Sequence, residues 1–492
     1  MLPDTRTPNA KAWRLPRLAA TALAALLATG CSFIPTYERP AAPVAGTFPG
    51  GAASAGQTAA AAADIAWQDY FPDPRLKQLI GMALASNRDL RVAMLNVEQA
   101  RATYQIRRAD QYPNLGLGVN ASRGPNAANG NLTNSFSVGL AVTAWELDFF
   151  GRIASLKEAA LAQYLATDEG RKAAQISIVS AVANTWLNVL ADEELLAITR
   201  QALGTREESL KLTNLRFDSG VSSELDFQQA TSLAESARAT LAQAQRQRAL
   251  DENALVLLLG QPVPEGVLAG GAARLSDAIN LPEVPAGLPS DLLIKRPDIR
   301  QAEEQLIAAN ANIGAARAAF FPRIALTAQA GTASNQLSGL FNSGSWGFTI
   351  APSLLLPIFD AGRNQAGLES SNAARAIAVA QYEKSIQTAF REVADGLAGR
   401  EALTEQLRAQ RAQTAAEAQR FKLSDLRYRN GIASYLDMLD AQRSLFTAQQ
   451  AVVQVRLLQL QNQVQLYKAL GGGWTDPAVA TAAQQPAQPA VR

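Results

Sequence analysis

The chain has 492 residues, 45 basic and 43 acidic, with 18% charged, 6% aromatic and about a fifth alanine. A net charge of +2 with no basic block argues against nonspecific nucleic-acid binding, which needs a cationic face. No histidine and a single cysteine remove Ser-His and Cys-His nucleophiles, His-containing metal sites, intramolecular disulfides and thiolate zinc cages, so no enzymatic activity, metal or cofactor is expected.

In chain order, residues 1–30 read as an export signal. Lys11, Arg14 and Arg17 precede an apolar run from Leu18 to Ala28 that is too short to span a bilayer. The run ends LLATGCS, with Gly30 before Cys31, and resembles a bacterial lipoprotein signal. That resemblance implies cleavage before Cys31, acylation of its thiol and, with Ser32 following, sorting to the outer membrane. The alternative is an ordinary cleaved signal beside an incidental cysteine. No later segment holds eighteen consecutive apolar residues, so any membrane crossing must use strands.

The rest of the chain repeats itself. RFDSGVSSELD from Arg216 aligns with RYRNGIASYLD from Arg427 at an offset of 211, as does Gly151-Arg152 with Gly362-Arg363. Asp89-Leu90-Arg91 against Asp298-Ile299-Arg300, and Tyr112-Pro113 against Phe321-Pro322, are offset by 209. Two units of that length are a duplicated domain and not a short-repeat solenoid. The first repeat is expected over 86–259, with a helix, a β-hairpin at 114–146, a long helix at 151–218 and a return helix at 224–259. After a linker at 260–296, the second repeat occupies 297–470, with a helix, a hairpin at 322–357, a long helix at 362–429 and a return helix at 434–470. A low-complexity tail, 471–492, ends the chain.

The helices rest on proline-free stretches between Pro125 and Pro262 and between Pro357 and Pro477. Within them apolar residues recur at helical spacing, as in Ile176, Val179, Ala183, Trp186, Leu190 and in Phe390, Val393, Leu397. Gly220 and Gly431 supply the C-caps. The hairpins rest on alternation: Leu115, Leu117, Val119 with Gly116, Gly118, Asn120; Phe136, Val138, Leu140, Val142, Ala144 with Ser137, Gly139, Ala141, Thr143. Ile324, Leu326, Ala328, Ala330 and Trp346, Phe348, Ile350, Leu354 alternate in the same way with small or polar residues. One apolar face and one small or polar face suit a transmembrane barrel with a wet lumen. A soluble sheet over a core is the alternative.

Four strands cannot close a barrel. Two copies give eight strands, whose interior side chains fill, while three give twelve and leave a channel. A homotrimer is expected, and the fold class is an α+β membrane protein.

Four segments then carry a family resemblance: WQDYFPDPRLKQLIGMALASNRDL at 67–90, WELDFFGR at 145–152, GLPSDLLIKRPDIRQAE at 287–303 and LYKALGGGW at 466–474. Together they resemble the outer-membrane efflux proteins (TolC/OprM/NodT-like outer-membrane factors). The resemblance implies a trimeric twelve-stranded outer-membrane β-barrel continued by a long periplasmic α-barrel. An equatorial mixed region would include the N-terminal segment 31–85 and the 260–296 linker. It also implies a passive exit duct of a tripartite pump, working with a periplasmic adaptor and an inner-membrane transporter of the RND type. Outer-membrane lipid is the surrounding partner, and no nucleic acid is involved. A protein-secretion duct and a non-conducting envelope scaffold are the competing readings.

In such a duct the helix turns form the periplasmic end. The resemblance places adaptor docking on Arg216, Phe217, Gly220, Ser222, Arg427, Tyr428, Gly431 and Ser434. Leu436, Asp440 and Arg443 are spaced i, i+4, i+7 on one helix face. The resemblance carries the periplasmic gate onto Leu436, Asp437, Asp440 and Arg443, with Asp226 as the first-repeat equivalent of Asp437. Arg443 is expected to hold the acidic ring closed. The plainer reading of Asp226 and Asp437 is that acids in a first helical turn favour the helix dipole.

Overall fold

Four antiparallel strands, β1 (Leu115–Pro125), β2 (Leu132–Leu147), β3 (Arg323–Ser334) and β4 (Trp346–Leu355), form one sheet in the order β1-β2-β3-β4. The computed structural model describes residues 32–49, 62–125, 130–268, 275, 280–285 and 289–474. The expected signal, Cys31 and the tail beyond 474 lie outside the described residues. Both hairpins fall where the alternation placed them, and they join each other through β2 and β3.

The register sorts the side chains into two faces. Cross-strand rows Leu115–Val142–Ala328–Ile350, Leu117–Leu140–Ala330–Phe348 and Val119–Val138–Thr332–Trp346 lie on one side. Gly116–Ala141–Gln329–Thr349 and Gly118–Gly139–Gly331–Gly347 lie on the other. The second of these rows is glycine in all four strands. At the β2–β3 seam it is required, because a Cβ on Gly139 would meet the Ala330 carbonyl and one on Gly331 the Val138 carbonyl. The apolar face is exposed, Leu117, Val119, Trp346 and Phe348 included.

One feature departs from the expected alternation. Ala144 takes φ +49° and the β2–β3 register shifts between Val142 and Trp145. The extra residue of this bulge changes parity, so Trp145 pairs with Leu326. Ala144 therefore does not continue the alternation read from the sequence.

The described residues divide into two compact units. One holds the sheet with residues up to Ala41, Asn96–Thr167 and Gln301–Tyr382; the other holds Ala42–Leu95, Asp168–Arg300 and Glu383–Arg492. In chain order the helices are α1 (Trp67–Tyr70), α2 (Pro74–Ser86), α3 (Arg88–Ala109), α4 (Arg152–Asp218), α5 (Glu224–Leu259), α6 (Pro289–Lys295), α7 (Pro297–Ala318), α8 (Arg363–Arg429) and α9 (Tyr435–Ala469). Helices α4 and α8 each run 67 residues, about 100 Å at 1.5 Å per residue. Of the described helices only α4 is long and apolar enough to cross a membrane, yet 56% of that window is buried in the protein.

In the sheet unit, the N-terminal segment lies along α7. Phe33 stacks on Phe321 at 4.6 Å and Phe321 on Phe150 at 5.0 Å. Asn310 Nδ2 donates to the Pro35 carbonyl (2.7 Å), and Arg39 holds Glu303 with both guanidinium edges (2.7 and 2.8 Å).

In the helical unit the duplication shows as two versions of one joint. Gly260 follows α5 with φ +68° against the Ser86 carbonyl, and Gly471 follows α9 with φ +85° against that of Lys295. Asn87 Nδ2 donates to the Leu258 carbonyl (2.8 Å), and Arg296 Nη1 donates to the equivalent Ala469 carbonyl (2.9 Å). Arg296 reaches further, to Asp298 (2.6 Å) and Glu392 (2.8 Å), so this buried guanidinium is neutralised. Beside it Tyr70 and Tyr467 stack at 3.9 Å, and Trp186 Nε1 donates to Asp73 (3.1 Å).

Asp192 of α4 is 8% exposed. Burial first, then the neighbouring Asp251 of α5, pushes its carboxyl up to about 7, against the pull of Arg248. The folded value lies above the unfolded one of about 3.9, so between them the folded chain binds the extra proton and stability falls as pH rises. Replacing Asp192 with Asn is expected to raise the thermal transition by about 2 °C near pH ~8 and to leave it unmoved near pH ~4. Equal shifts at both pH values would contradict the raised Asp192 carboxyl.

Candidate functional site

The two helix turns are built alike. Gly220 (φ +71°) and Gly431 (φ +73°) take the left-handed conformation that lets a helix end. The Val221 N–H donates to the Arg216 carbonyl (2.8 Å) and the Ile432 N–H to that of Arg427 (2.9 Å), closing each turn six residues wide. Ser223 and Ser434 then start the return helices with capping boxes. Ser223 Oγ accepts from the Asp226 N–H (3.1 Å) and Ser434 Oγ from the Asp437 N–H (3.2 Å). In return Asp226 Oδ2 and Asp437 Oδ2 accept from the serine N–H groups, both at 3.3 Å.

The capping boxes define what Asp226 and Asp437 do within one chain: their carboxylates hold the turns. Ser222 Oγ adds a bond to Asp226 (3.2 Å). Of the docking candidates, Arg216 lies over the Tyr428 ring at 5.0 Å, joining α4 to α8, and Phe217 stacks on Phe227 at 5.6 Å. Arg427 is exposed.

Exposed apolar side chains complete the turns. Val221 (77% exposed) and Leu225 (66%) have Ile432 (68%) and Leu436 (59%) as their repeat equivalents. Only Leu436 was singled out from the sequence. The signal for the rest lay in the aligned turns, where an apolar residue after the glycine and another four places on recur in both repeats.

At the start of α9, Tyr435, Met438, Leu439 and Gln442 are buried. The first three pack with Ala230 and Leu233 of α5 and with Leu210, Phe421 and Tyr428. That packing turns Leu436, Asp437, Asp440 and Arg443 outward, all four exposed. Asp440 has a partner within the chain, and it is Arg420 of α8, not Arg443. Arg420 also reaches Glu417 at 3.1 Å. Arg443 makes no ion pair among the described residues; its charge instead lowers the pKa of Arg206, already lowered by burial. Arg420 could have been found by counting, since Arg420 with Asp440, Thr414 with Ala448 and Thr404 with Gln459 all mirror about Gly431. Its first-repeat counterparts are Ser209 and Gln229, which cannot form an ion pair.

Known proteins resemble this chain in sequence and in fold. The family model described as "Outer membrane efflux protein" matches residues 79–261 and 288–472, the two repeats in turn. The chain belongs to the outer membrane efflux protein family. TtgC of Pseudomonas putida, a probable efflux pump outer membrane protein, is 48% identical over 466 residues, covering 93% of this chain and 96% of the relative. The outer membrane protein OprJ of Pseudomonas aeruginosa is 44% identical over 94% of this chain and 97% of its own length. Among solved structures, the open state of the Neisseria gonorrhoeae MtrE outer membrane channel matches with a TM-score of 0.82 and 41% identity, covering 90% of this chain and 99% of that one. The fold is that of these outer-membrane efflux channels, and the expected family and fold class hold.

The serine caps stiffen both turns within the chain. Ser434→Ala is expected to cost about 1 kcal/mol of local stability, read as faster amide hydrogen exchange at Asp437 than at Asp226. Exchange that stays equal at the two turns would show that the box contributes nothing.

Proposed function

We propose that three copies of this chain close a twelve-stranded outer-membrane pore and act as the exit duct of a tripartite efflux pump. The observation that carries this reading is the sheet. One face is apolar and exposed, the other carries small or polar residues (glycine, alanine, serine, asparagine, glutamine and threonine), and among the described residues β1 and β4 each leave an edge without a partner. In hydrocarbon an unpaired edge cannot persist, so the edges must meet those of further copies. The apolar rows then face lipid and the glycine row lines the lumen. Drugs or other small organic molecules pass through it by diffusion, handed on by a periplasmic adaptor and an RND-type inner-membrane transporter. TtgC and OprJ, named as outer membrane proteins and in TtgC's case as part of an efflux pump, support that assignment.

The helix turns serve as the periplasmic end, with Val221, Leu225 and Ile432 as the apolar surface that the adaptor covers, beside Arg216, Phe217, Ser222, Arg427 and Tyr428. Leu436, Asp437, Asp440 and Arg443, with Asp226, form the gate. The Arg420–Asp440 ion pair holds each α8–α9 hairpin in its closed packing, and adaptor binding shifts the population toward an open one. In planar lipid bilayers the wild-type protein is expected to give a small single-channel conductance, and Arg420→Ala with Asp440→Ala at least a twofold larger one. Absence of channels would overturn the duct, and unchanged conductance in the variant would overturn the gate.

The same reading includes a lipid anchor on Cys31. Support comes from Phe33, whose stack on Phe321 and Phe150 ties the start of the described chain to the feet of β2 and β3. A lipid on Cys31 would thus enter the membrane beside the strands. Metabolic labelling with a palmitate analogue should mark the wild-type protein and not Cys31→Ser; a label retained by the variant refutes the anchor.

A further inference from the structure

A cleft of about 330 Å³ opens between α4 and the α8–α9 pair, just before the helix turns. Its polar wall carries two carboxylates, Glu208 and Asp425, against one guanidinium, Arg429. Arg429 is committed to Asp425 at 2.8 Å on its own helix and is itself largely exposed. Glu208 is exposed and makes no ion pair among the described residues. The opposite wall is aromatic: Phe421, Tyr428 and Tyr435, with the two tyrosine rings 5.4 Å apart and tilted by 46°. Arg216 already lies over Tyr428 at 5.0 Å, so this ring takes a cation on its face. Tyr435 is 6% exposed and its hydroxyl is buried without a hydrogen-bond partner. The nearby Thr213 hydroxyl is turned to the Ser209 carbonyl (2.9 Å).

We propose that this cleft is a binding site for a small aromatic cation, the charged group lying between Glu208 and Asp425 and the ring against Phe421 and Tyr435. The charge balance of the polar wall selects a cation over a neutral body of equal shape, and the aromatic wall selects a flat apolar one. The walls come from three helices, so an occupant bridges the two helix hairpins and favours the packing in which they meet. This inference concerns binding to the folded chain and is independent of whether the protein conducts.

The test is isothermal titration of the purified full-length protein with benzamidinium and, separately, with neutral benzamide. Saturable millimolar binding of benzamidinium is expected, with benzamide at least tenfold weaker. Glu208→Gln is expected to weaken benzamidinium at least fivefold, and Ser209→Trp, which fills the cleft, to abolish binding. Wild-type protein that binds benzamidinium no better than benzamide overturns the proposal. So does binding that is unchanged in Glu208→Gln, an exposed position where the substitution leaves the helix intact. Loss of conductance in bilayers would be a separate failure, because titration does not require an open channel.

Discussion

The constraint on which everything else depends is that, among the described residues, β1 and β4 end the sheet with unpaired backbone groups on both outer edges. In water such edges invite aggregation; in hydrocarbon each unpaired N–H or C=O costs several kcal/mol. A chain that crosses a membrane with four strands therefore has no stable state alone. Closure with copies of itself satisfies both edges at once, and it explains why the apolar rows of the sheet are left bare in a single chain. It also gives the glycine row its sense. Four glycines abreast, Gly118, Gly139, Gly331 and Gly347, let β2 and β3 approach closely at their seam and leave one level of the lumen face without side chains.

Much of this was legible because the sequence punctuates itself. Glycines at 151, 220, 362 and 431 and prolines outside the long helices set boundaries that the structure meets within one residue at α4 and α8. The strands were legible because two faces of different solvent demand strict alternation. What stayed hidden has no local signal. The β2–β3 pairing joins residues nearly two hundred apart. The bulge turns on a positive φ at Ala144, a residue type that gives no hint of one. At the turns the capping boxes were readable as motifs, S-x-x-D in both repeats, yet the same aspartates were assigned to the gate. An acid near a helix start satisfies both descriptions, and only the hydrogen bonds show which one a single chain uses. Arg420 was missed because its partner lies across a helix hairpin whose register must be counted from the glycine.

The duplication shows which parts of the design are free to vary. Each repeat ends its return helix at a left-handed glycine packed on the carbonyl that precedes the next helix, and each ties that joint with one side-chain donor. The backbone arrangement is kept while the donor changes from Asn87 to Arg296. An arginine at that position needs acids, and Asp298 and Glu392 supply them; the first repeat has Asp89 but Ala181 where Glu392 would be. A buried guanidinium without both partners would be costly, so the second joint can be changed only as a set. The first, built on a neutral amide, carries no such condition.

The same divergence reaches the turns, where it bears on movement. The ionic cross-link nearest the turn, among the described residues, has its charges reversed between the two helix hairpins: Glu207 with Arg238 in the first repeat and Arg420 with Asp440 in the second. Asp440 stands nine residues past its turn glycine and Arg238 eighteen past its own. At 1.5 Å per residue the second clamp sits about 13 Å from the turn and the first about 27 Å. Beyond its clamp the first-repeat hairpin is joined by the Phe217–Phe227 stack and not by a second ion pair. The second-repeat turn is held close to its end, so it moves as a unit or only after the clamp opens. Exposed ion pairs of this kind are weak and screened by salt. The two turns of one chain therefore differ in how they are held: the second by an ion pair close to its end, the first by an aromatic stack there and an ion pair farther back.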